Sequence, residues 1–491
     1  MKHVHPGSKL PTRRGHSLTR LFLLAVALAS AALILPAIGI RDPFFTRLRP
    51  ALFFAIQAYS LLTSVVLFAL ILRAREGHGV PRRSALMMAA LLIVTVFIGA
   101  ANHSGEARHT QARAKILNRA GDPVLKSIAE HIVVGYHNPR LIHELIEADA
   151  LGGVFVTHHN AAGRSAAEIR AEIAGFQAAR KARGMPLLWI TTDQEGGGVS
   201  RLSPPLPRQP FLSTLLANTP GEASQITSDA VLRDPGLAER FQSYGAEQAR
   251  GLADLGVNVN FSPVVDLRVP AAEKSDPFMR WMDAFSRIET RAIHRSPEIV
   301  AFAARSYARG LSRHGVYATF KHFPGLGRVA ADTHWFPADV DGSAEALMRS
   351  DWLPFYRLSG ESTAQQSRDL TPWIMLGHAR VPAIDPEHAA SHSFAIVDGI
   401  LRRSWNYEGI LITDDFNMRP VMLSPGGMGG AAARALNAGV DLILISYDGE
   451  NIYPVLATLL QAVDAGALNL AQIDRSAERL RRARVEREGL R

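Results

Sequence analysis

Eight short apolar runs, rich in β-branched and aromatic residues, alternate with longer amphipathic stretches from about residue 103 onward. Near-continuous apolar strands that alternate with helices are typical of a parallel sheet covered on both faces. Eight such repeats predict an α/β fold, a closed (β/α)₈ TIM barrel with insertions. A doubly wound open sheet is the alternative, and the pattern alone does not separate the two. The runs are His131–Tyr136, Gly152–Thr157, Leu187–Asp193, Val257–Phe261, Val316–Lys321, Trp373–Gly377, Gly409–Asp414 and Val440–Ser446, and helical patterns lie between them, as at Ala166–Arg183, Leu237–Leu255 and Pro297–His314.

Three uncharged apolar runs precede this region, at Leu21–Ile40, Ala51–Leu72 and Ser84–Ala101. Each is about long enough to cross a hydrocarbon core of roughly 30 Å as a helix. A buried soluble helix would explain any one of them, and a secretory signal would explain the first, but three in succession favour a membrane region. The predicted organisation is therefore a basic cytoplasmic tail (1–20), three transmembrane helices (21–101) and a barrel domain (102–491).

The basic residues around these runs predict their orientation. Lys and Arg are more numerous in the tail and in the loop after the second run than in the loop after the first. We therefore expect the tail and the second loop to face the cytoplasm. Three crossings then place the barrel on the periplasmic or extracellular side of the inner or plasma membrane.

The composition excludes several functional classes. The chain has 491 residues and no cysteine, which excludes thiol catalysis, disulfides and cysteine-ligated metals. Its formal charge of +9 invites a nucleic-acid partner, but many of the cations flank the apolar runs. Basic and aromatic residues are not interleaved as they are on single-strand-binding surfaces. We expect the partners to be a small substrate and, through residues 21–101, the lipid bilayer.

Polar and ionisable residues stand at the ends of four different predicted strands. Asp193 ends the third run, Lys321 and His322 the fifth, His378 follows the sixth, and Asp414 and Asp415 end the seventh. The carboxyl ends of parallel barrel strands meet at one face, where barrel active sites lie. The sequence therefore predicts an active site assembled from these residues.

The segment from Lys321 to His334 is the densest polar cluster. Lys-His-Phe-Pro-Gly-Leu-Gly is followed by Asp332-Thr333-His334. An imidazole backed by a carboxylate is a proton-transfer device, and the short Asp-x-His spacing lets Asp332 orient His334. A solvated Gly/Pro loop is the simpler alternative, but the density of ionisable groups favours a site.

Three motifs in this order resemble the β-N-acetylglucosaminidase branch of glycoside hydrolase family 3. They are Asp193-Gln194-Glu195-Gly196-Gly197, the Lys321–Gly327 segment with Asp332-Thr333-His334, and Thr413-Asp414-Asp415-Phe416-Asn417-Met418. The likeness spans about residues 120 to 470. It implies a retaining enzyme that removes terminal β-linked N-acetylhexosamines from peptidoglycan fragments or related glycans, without a cofactor or metal.

The resemblance also implies roles for single residues. Asp414 matches the nucleophile that forms a covalent glycosyl-enzyme. His334, oriented by Asp332, would protonate the leaving oxygen and later deprotonate water. For Asp415 a structural role as a helix cap is expected. The residues that match sugar-binding positions are Asp193, Arg201, Arg291, Lys321 and His322.

Four rival functions remain open at this stage. A glycoside phosphorylase or a β-glucosidase would use the same residues, and a histidine acid/base carries no negative charge to repel phosphate. A metal-dependent barrel hydrolase is a third, with Asp332, His334, His322 and Asp414 as possible ligands and His158-His159 as a residual candidate. A non-catalytic sugar-binding or membrane sensor module is a fourth, but it would need neither nucleophile nor acid/base.

Overall fold

The computed structural model describes residues 13–42, 45–75, 82–217, 234–269, 286–329, 331–360 and 369–490. Contacts divide the chain into two compact units, residues 1–114 and residues 115–491. The first twelve residues of the predicted basic tail lie outside the described residues, as does most of the loop after the second apolar run.

The first unit is built from three long helices, Arg13–Ile38, Arg49–Arg75 and Arg82–Leu117. Their lengths and compositions are sufficient for crossing a membrane. The predicted runs coincide with these helices, and the third helix continues from Ala101 to Leu117 into a polar stretch. The helix continues through this polar stretch because Glu106, Arg108 and Gln111 have helix propensities as high as those of most apolar residues.

Polar side chains link the three helices to one another. Ser60 donates to the carbonyl oxygen of Thr95 at 2.7 Å, and Tyr59 donates to that of Val26 at 3.0 Å. Gly99 allows the close approach, since a Cβ there would lie 2.3 Å from Ser60 Oγ. Small residues and interhelical hydrogen bonds of this kind hold helices together in a bilayer.

The second unit is a closed barrel of eight parallel strands in sequential order. Each strand pairs with its neighbours along the chain, and the last pairs with the first, for example Val133 with Leu444. The predicted barrel is confirmed, and the open sheet is wrong. The strands are β1 Ile132–Gly135, β2 Gly153–Phe155, β3 Trp189–Thr192, β4 Val259–Asn260, β5 Tyr317–Phe323, β6 Trp373–Leu376, β7 Leu411–Asp415 and β8 Leu442–Ile445.

The helices of this unit follow the capping rules. Ser165 and Glu168 form a reciprocal capping box at the start of Ala166–Ala182, and Ser296 caps the helix that begins at Pro297. The other α-helices are Pro123–Ala129, Pro139–Glu147, His158–Ala161, Thr214–Ala217, Pro235–Leu255, Ile288–Arg291, Ala344–Met348, Leu353–Gly360, Arg419–Met422, Gly427–Ala438, Ile452–Asp464 and Leu470–Glu488. Two 3₁₀ turns, Ala390–His392 and Gly449–Asn451, and a π-helix, Ala395–Ser404, complete the helical segments described.

The inside of the barrel is filled by large side chains near the amino ends of the strands. Trp189, Tyr317 and Trp373 are fully buried there, with the two tryptophan rings 5.0 Å apart in an edge-to-face arrangement. These rings close the interior of the barrel, and in other barrels of this type ligands bind at the carboxyl ends of the strands.

Two pairs of short strands extend the carboxyl-terminal face of the barrel. Gln194–Gly196 and Val199–Ser200 form an antiparallel pair directly after β3. Ala338–Asp339 pairs with Ala379–Arg380, which follows β6. These additions order the loops that carry the predicted site residues.

Candidate active site

Lys321 joins two carboxylates at the centre of the carboxyl-terminal face. Its Nζ lies 2.7 Å from Asp193 Oδ1 and 2.6 Å from Glu195 Oε1. The lysine is 2% exposed and Asp193 is 20% exposed. The ammonium therefore neutralises Asp193 from below and leaves part of that carboxylate facing solvent, where a sugar hydroxyl can donate to it.

Glu195 and Arg291 form a buried, two-pronged ion pair beside Lys321. Arg291 Nη2 and Nε donate to Glu195 Oε1 and Oε2 at 2.7 and 2.9 Å. Burial by itself raises the pKa of the Glu195 carboxyl, but Arg291 and Lys321 outweigh burial and hold that pKa well below its usual range. No role was predicted for Glu195, although it stands within the Asp193–Gly197 motif.

The loop that carries Asp193 and Glu195 is fixed by Asn260 at the end of β4. The side-chain oxygen of Asn260 accepts from the Gln194 N–H at 2.9 Å, and its Nδ2 donates back to the Gln194 carbonyl at 2.9 Å. Since Asn260 is fully buried, this pairing sets the two flanking carboxylates at a fixed height above the barrel.

Arg201 lies at the edge of the cluster. Its Nε is 4.0 Å from Asp193 Oδ2, and its side chain is 45% exposed. The backbone N–H of Arg201 donates to the Asp193 carbonyl at 3.0 Å, which ties the two residues together. The structure thus brings Arg201 to the rim rather than into the buried part of the site.

His322 is held by a residue that the sequence reasoning missed. Asp266, fully buried after β4, lies with Oδ2 2.7 Å from His322 Nδ1. The same carboxylate accepts from the backbone N–H groups of His322 and Leu326. Because Nδ1 is occupied in this way, Nε2 is the ring nitrogen of His322 available for a sugar hydroxyl.

Asp332 and His334 form the predicted pair. His334 Nδ1 lies 2.7 Å from Asp332 Oδ1, and the backbone N–H of His334 donates to the same oxygen at 2.9 Å. Asp332 is fully buried, whereas the His334 side chain is 44% exposed. Burial lowers the pKa of the His334 imidazole, but the bond to Asp332 and the nearby charge of Asp414 outweigh burial and raise it above 6.5.

Asp414 stands half-buried near the end of β7. Burial raises the pKa of its carboxyl, but the nearby His322 and His334 oppose burial, and the pKa lies below 3.8. The backbone N–H of Arg419 donates to the His334 carbonyl at 3.0 Å, which fastens the two loops to each other. Asp414 and His334 therefore belong to one cluster.

Asp415, by contrast, is turned toward the protein. Its Oδ1 accepts from the N–H of Asn417 at 3.0 Å and of Ser446 at 2.8 Å, and Oδ2 accepts from the Ser446 hydroxyl at 2.7 Å. The carboxylate joins the ends of β7 and β8. This arrangement is structural, but the expected helix cap is wrong, because the helix Arg419–Met422 has Met418 at its N-cap and no side-chain cap.

His158 and His159 lie away from this cluster, after β2. His159 Nε2 is 2.7 Å from the Tyr136 carbonyl, and its ring stacks on His137 at 4.2 Å. Across the described residues, no group of three or more His, Asp or Glu side chains is arranged to hold a metal ion. The residual metal candidate therefore gains no support from its surroundings.

A family model described as the glycosyl hydrolase family 3 N terminal domain matches residues 125–483. The chain belongs to glycoside hydrolase family 3. The predicted family, barrel fold and glycoside hydrolase class are thereby confirmed. The matched region covers every site residue described above.

Curated relatives in this family are named beta-hexosaminidases. That of Xanthomonas oryzae pv. oryzae (strain KACC10331 / KXO85) is 31% identical over 328 residues, which are 67% of this chain and 84% of the relative. That of Nitrosomonas eutropha (strain DSM 101675 / C91 / Nm57) is 31% identical over 349 residues, 70% of this chain and 87% of the relative.

Solved structures with the same fold include a family 3 β-N-acetylglucosaminidase from Paenibacillus sp. str. FPU-7. It superposes with a TM-score of 0.61 at 26% identity, over 74% of this chain and 62% of the Paenibacillus chain. A family 3 glycosyl hydrolase from Mycobacterium smegmatis str. MC2 155 gives a TM-score of 0.59 at 26% identity, over 73% of this chain and 96% of that one.

Proposed function

We propose that this family 3 chain is a retaining, exo-acting β-N-acetylglucosaminidase that is anchored in a membrane by its three apolar helices. The observation that carries the proposal is the hydrogen-bonded pair of His334 and Asp332, in which the His334 imidazole is partly exposed. A backbone hydrogen bond from Arg419 to His334 links this pair to the loop that follows Asp414. Glycoside cleavage with retention needs a nucleophile and a proton donor, usually two carboxyl groups. Here Asp414 would be the nucleophile, and the His334 imidazole would take the place of the second carboxyl.

In the first step Asp414 attacks the anomeric carbon, and the bond from that carbon to the leaving oxygen breaks. His334 supplies the proton that the leaving oxygen takes up. Since Nδ1–H donates to Asp332, the transferred proton comes from Nε2. Asp332 stabilises the imidazolium before transfer and keeps the ring in place afterwards.

In the second step the neutral His334 accepts a proton from water, and the water oxygen attacks the anomeric carbon. The bond to Asp414 breaks, and the sugar leaves with its original β configuration. The pKa of Asp414 is lowered and the pKa of His334 is raised, and both shifts favour the charge states that the first step requires.

We assign sugar binding to the group around Lys321. Asp193 offers a partly exposed carboxylate oxygen, and Lys321 and His322 flank it as donors or acceptors. Arg291 is anchored by Glu195, so its guanidinium is held in one orientation. Arg201 at the rim closes one side. Such fixed polar groups select a hydroxyl-rich ring without reorganisation on binding.

The proposed natural substrates are peptidoglycan fragments or related amino-sugar glycans. The names of the curated relatives support the amino sugar. The basic residues that flank the apolar helices support a barrel on the periplasmic or extracellular side of the inner or plasma membrane. A reporter fused to the carboxyl terminus tests this orientation, and activity confined to the cytoplasm would contradict it.

The activity is tested by assaying the full-length protein in detergent against aryl β-N-acetylglucosaminide and aryl β-glucoside side by side. We expect turnover of the first to exceed that of the second by a wide margin. Equal or preferred turnover of the glucoside would assign a β-glucosidase. Full activity in the presence of a strong chelator is expected and would dismiss the metal-dependent alternative.

A glycoside phosphorylase is the second candidate, because the acid/base is an imidazole and not a carboxylate. A neutral imidazole does not repel an incoming phosphate as a glutamate would. Product analysis with and without inorganic phosphate separates the two. Free N-acetylglucosamine under both conditions identifies a hydrolase, and sugar 1-phosphate identifies a phosphorylase.

A further inference from the structure

A buried histidine that the proposed mechanism does not use lies next to the nucleophile. His378 directly follows Gly377 at the end of β6 and is 3% exposed. Its Nε2 lies 3.0 Å from the carbonyl oxygen of Asp415, and its Nδ1 lies 2.9 Å from Ser391 Oγ. Ser391 Oγ in turn lies 3.1 Å from His392 Nδ1.

The hydrogens of this chain can run in one direction when both rings are neutral. A carbonyl oxygen only accepts, so Nε2 of His378 carries the proton and its Nδ1 accepts from the Ser391 hydroxyl. That hydroxyl has one hydrogen, so it accepts from Nδ1–H of His392. The chain leads from His392 through Ser391 and His378 to the carbonyl of Asp415, the residue that follows the nucleophile.

The surroundings keep both histidines neutral. Burial lowers the pKa of His378 in spite of the nearby Asp414 charge, and burial lowers the pKa of His392 to about 3. The ionisable groups that act on the two rings are Asp414, His334 and His322 for His378, and Arg434, His388 and Asp385 for His392.

Asp415 is the residue through which His378 reaches the nucleophile. His378 holds its carbonyl, Ser446 and Asn417 hold its carboxylate, and its own N–H donates to Asp414 Oδ1 at 2.8 Å. A residue fixed on both sides presents its N–H in a constant direction. That N–H sets the rotation of the Asp414 carboxylate and hence which oxygen faces the sugar.

We propose that His378, kept in one tautomer by Ser391, is a positioning residue that orients the Asp414 carboxylate for attack. The proposal rests on the proposed function, in which Asp414 is the nucleophile. His378 does not touch the sugar in this account. Its loss should therefore affect the chemical step and leave substrate binding largely intact.

The test compares His378→Phe with His378→Gln in the full-length protein, using an aryl β-N-acetylglucosaminide. Phenylalanine fills the space without a donor, and we expect kcat to fall by about 10²-fold, the size of loss that a small misplacement produces. KM should change little. Glutamine restores an N–H near the Nε2 position and should recover most of the lost kcat, with the pH profile of the wild type.

His131 provides a matched control at the other end of the barrel. It is fully buried, and its Nδ1 lies 2.8 Å from the carbonyl oxygen of Asp441. His131→Phe therefore removes a comparable buried contact far from the site. We expect it to lower the melting temperature as His378→Phe does while kcat of the folded protein stays unchanged.

The outcomes are distinct. Unchanged kcat in folded His378→Phe, a loss that glutamine does not recover, or an equal loss in His131→Phe would overturn the proposal. Should His378→Phe fail to fold, Ser391→Ala decides, with a smaller fall in kcat expected and a wild-type kcat against it. If the wild type does not hydrolyse the substrate, the proposed function and this inference are both contradicted. If the wild type is active and His378→Phe has the same kcat, only this inference is contradicted.

Discussion

Two buried clusters of cations and carboxylates occupy opposite ends of the barrel. At the amino end, Asp441 just before β8 accepts from Arg402 at 2.5 Å, from Arg479 at 2.7 Å and from the Ser476 hydroxyl at 2.6 Å. The N–H of Leu411 fills the remaining position at 2.8 Å. Asp441 is fully buried, and neither of its oxygens is left for a ligand.

The carboxyl end uses the same kinds of side chain with a different outcome. Lys321 and Arg291 neutralise Glu195 from beneath, but Asp193 remains 20% exposed and His334 44% exposed. A carboxylate whose oxygens all bond to protein groups, such as Asp441, stabilises the fold. A carboxylate that is bonded to protein on one side and exposed on the other, such as Asp193, can also bind a substrate. Burial of an ion pair alone does not distinguish function from structure.

The largest effect is expected at the exposed end, for Asp414→Ala. Removing the nucleophile should reduce kcat on an aryl N-acetylglucosaminide by about 10⁴-fold or more. The melting temperature should hardly change, because the Asp414 side chain contributes little to the links between β7 and β8. Asp415→Ala is the control, and we expect it to lose more stability and less kcat than Asp414→Ala. A larger loss of kcat in Asp415→Ala than in Asp414→Ala would contradict these roles.

His334→Ala should come next, with kcat lower by about 10²- to 10⁴-fold, the range for loss of a general acid/base. The pKa of His334 is raised, so its protonated form persists above pH 6.5 and the basic limb of kcat/KM should lie above that value. Asp332→Asn removes the charge that raises this pKa, so the basic limb should move to lower pH. A basic limb that stays in place would contradict the pairing.

Asp441→Ala tests the closed end. It leaves Arg402 and Arg479 without their carboxylate, and we expect the free energy of unfolding to fall by about 3 to 5 kcal/mol. Chemical denaturation of the purified protein measures this loss. The kcat of the folded fraction should equal that of the wild type, and a specific loss of kcat would show that the amino end takes part in catalysis.

The smallest effect is expected for Arg201→Ala. Its guanidinium is 45% exposed and 4.0 Å from Asp193, and such exposed pairs contribute about 0 to 1 kcal/mol. KM should therefore rise by no more than about fivefold at unchanged kcat. Steady-state kinetics decides, and a large fall in kcat would place Arg201 in the chemistry rather than at the rim.

The eight barrel strands were predictable because each is a short apolar run, and the structure places all eight in the predicted order. Polar residues at strand ends likewise indicated the face that carries the site. Contacts between residues far apart in sequence were not predictable. His322 and Asp266 are 56 residues apart, and nothing in the local pattern around Asp266 distinguishes it from any buried aspartate.

The ion-pair partners of Glu195 and Asp441 were likewise not predictable from the sequence. Glu195 stands in a motif, but its importance depends on Arg291, which is 96 residues away. Asp441 lies in an apolar run with no motif, and its partners come from three other segments. Sequence patterns indicate where strands begin and end, whereas the pairing of charges depends on how the closed barrel brings those segments together.

The most direct test of the account is to identify the residue that becomes covalently attached to the sugar. Incubation with a fluorinated N-acetylglucosaminide that slows the second step, followed by digestion and mass spectrometry, should place the added mass on Asp414. The first-formed product of the normal substrate should be the β anomer by NMR. A label on another residue, or an α product, would contradict the proposal that Asp414 and His334 act together on one sugar.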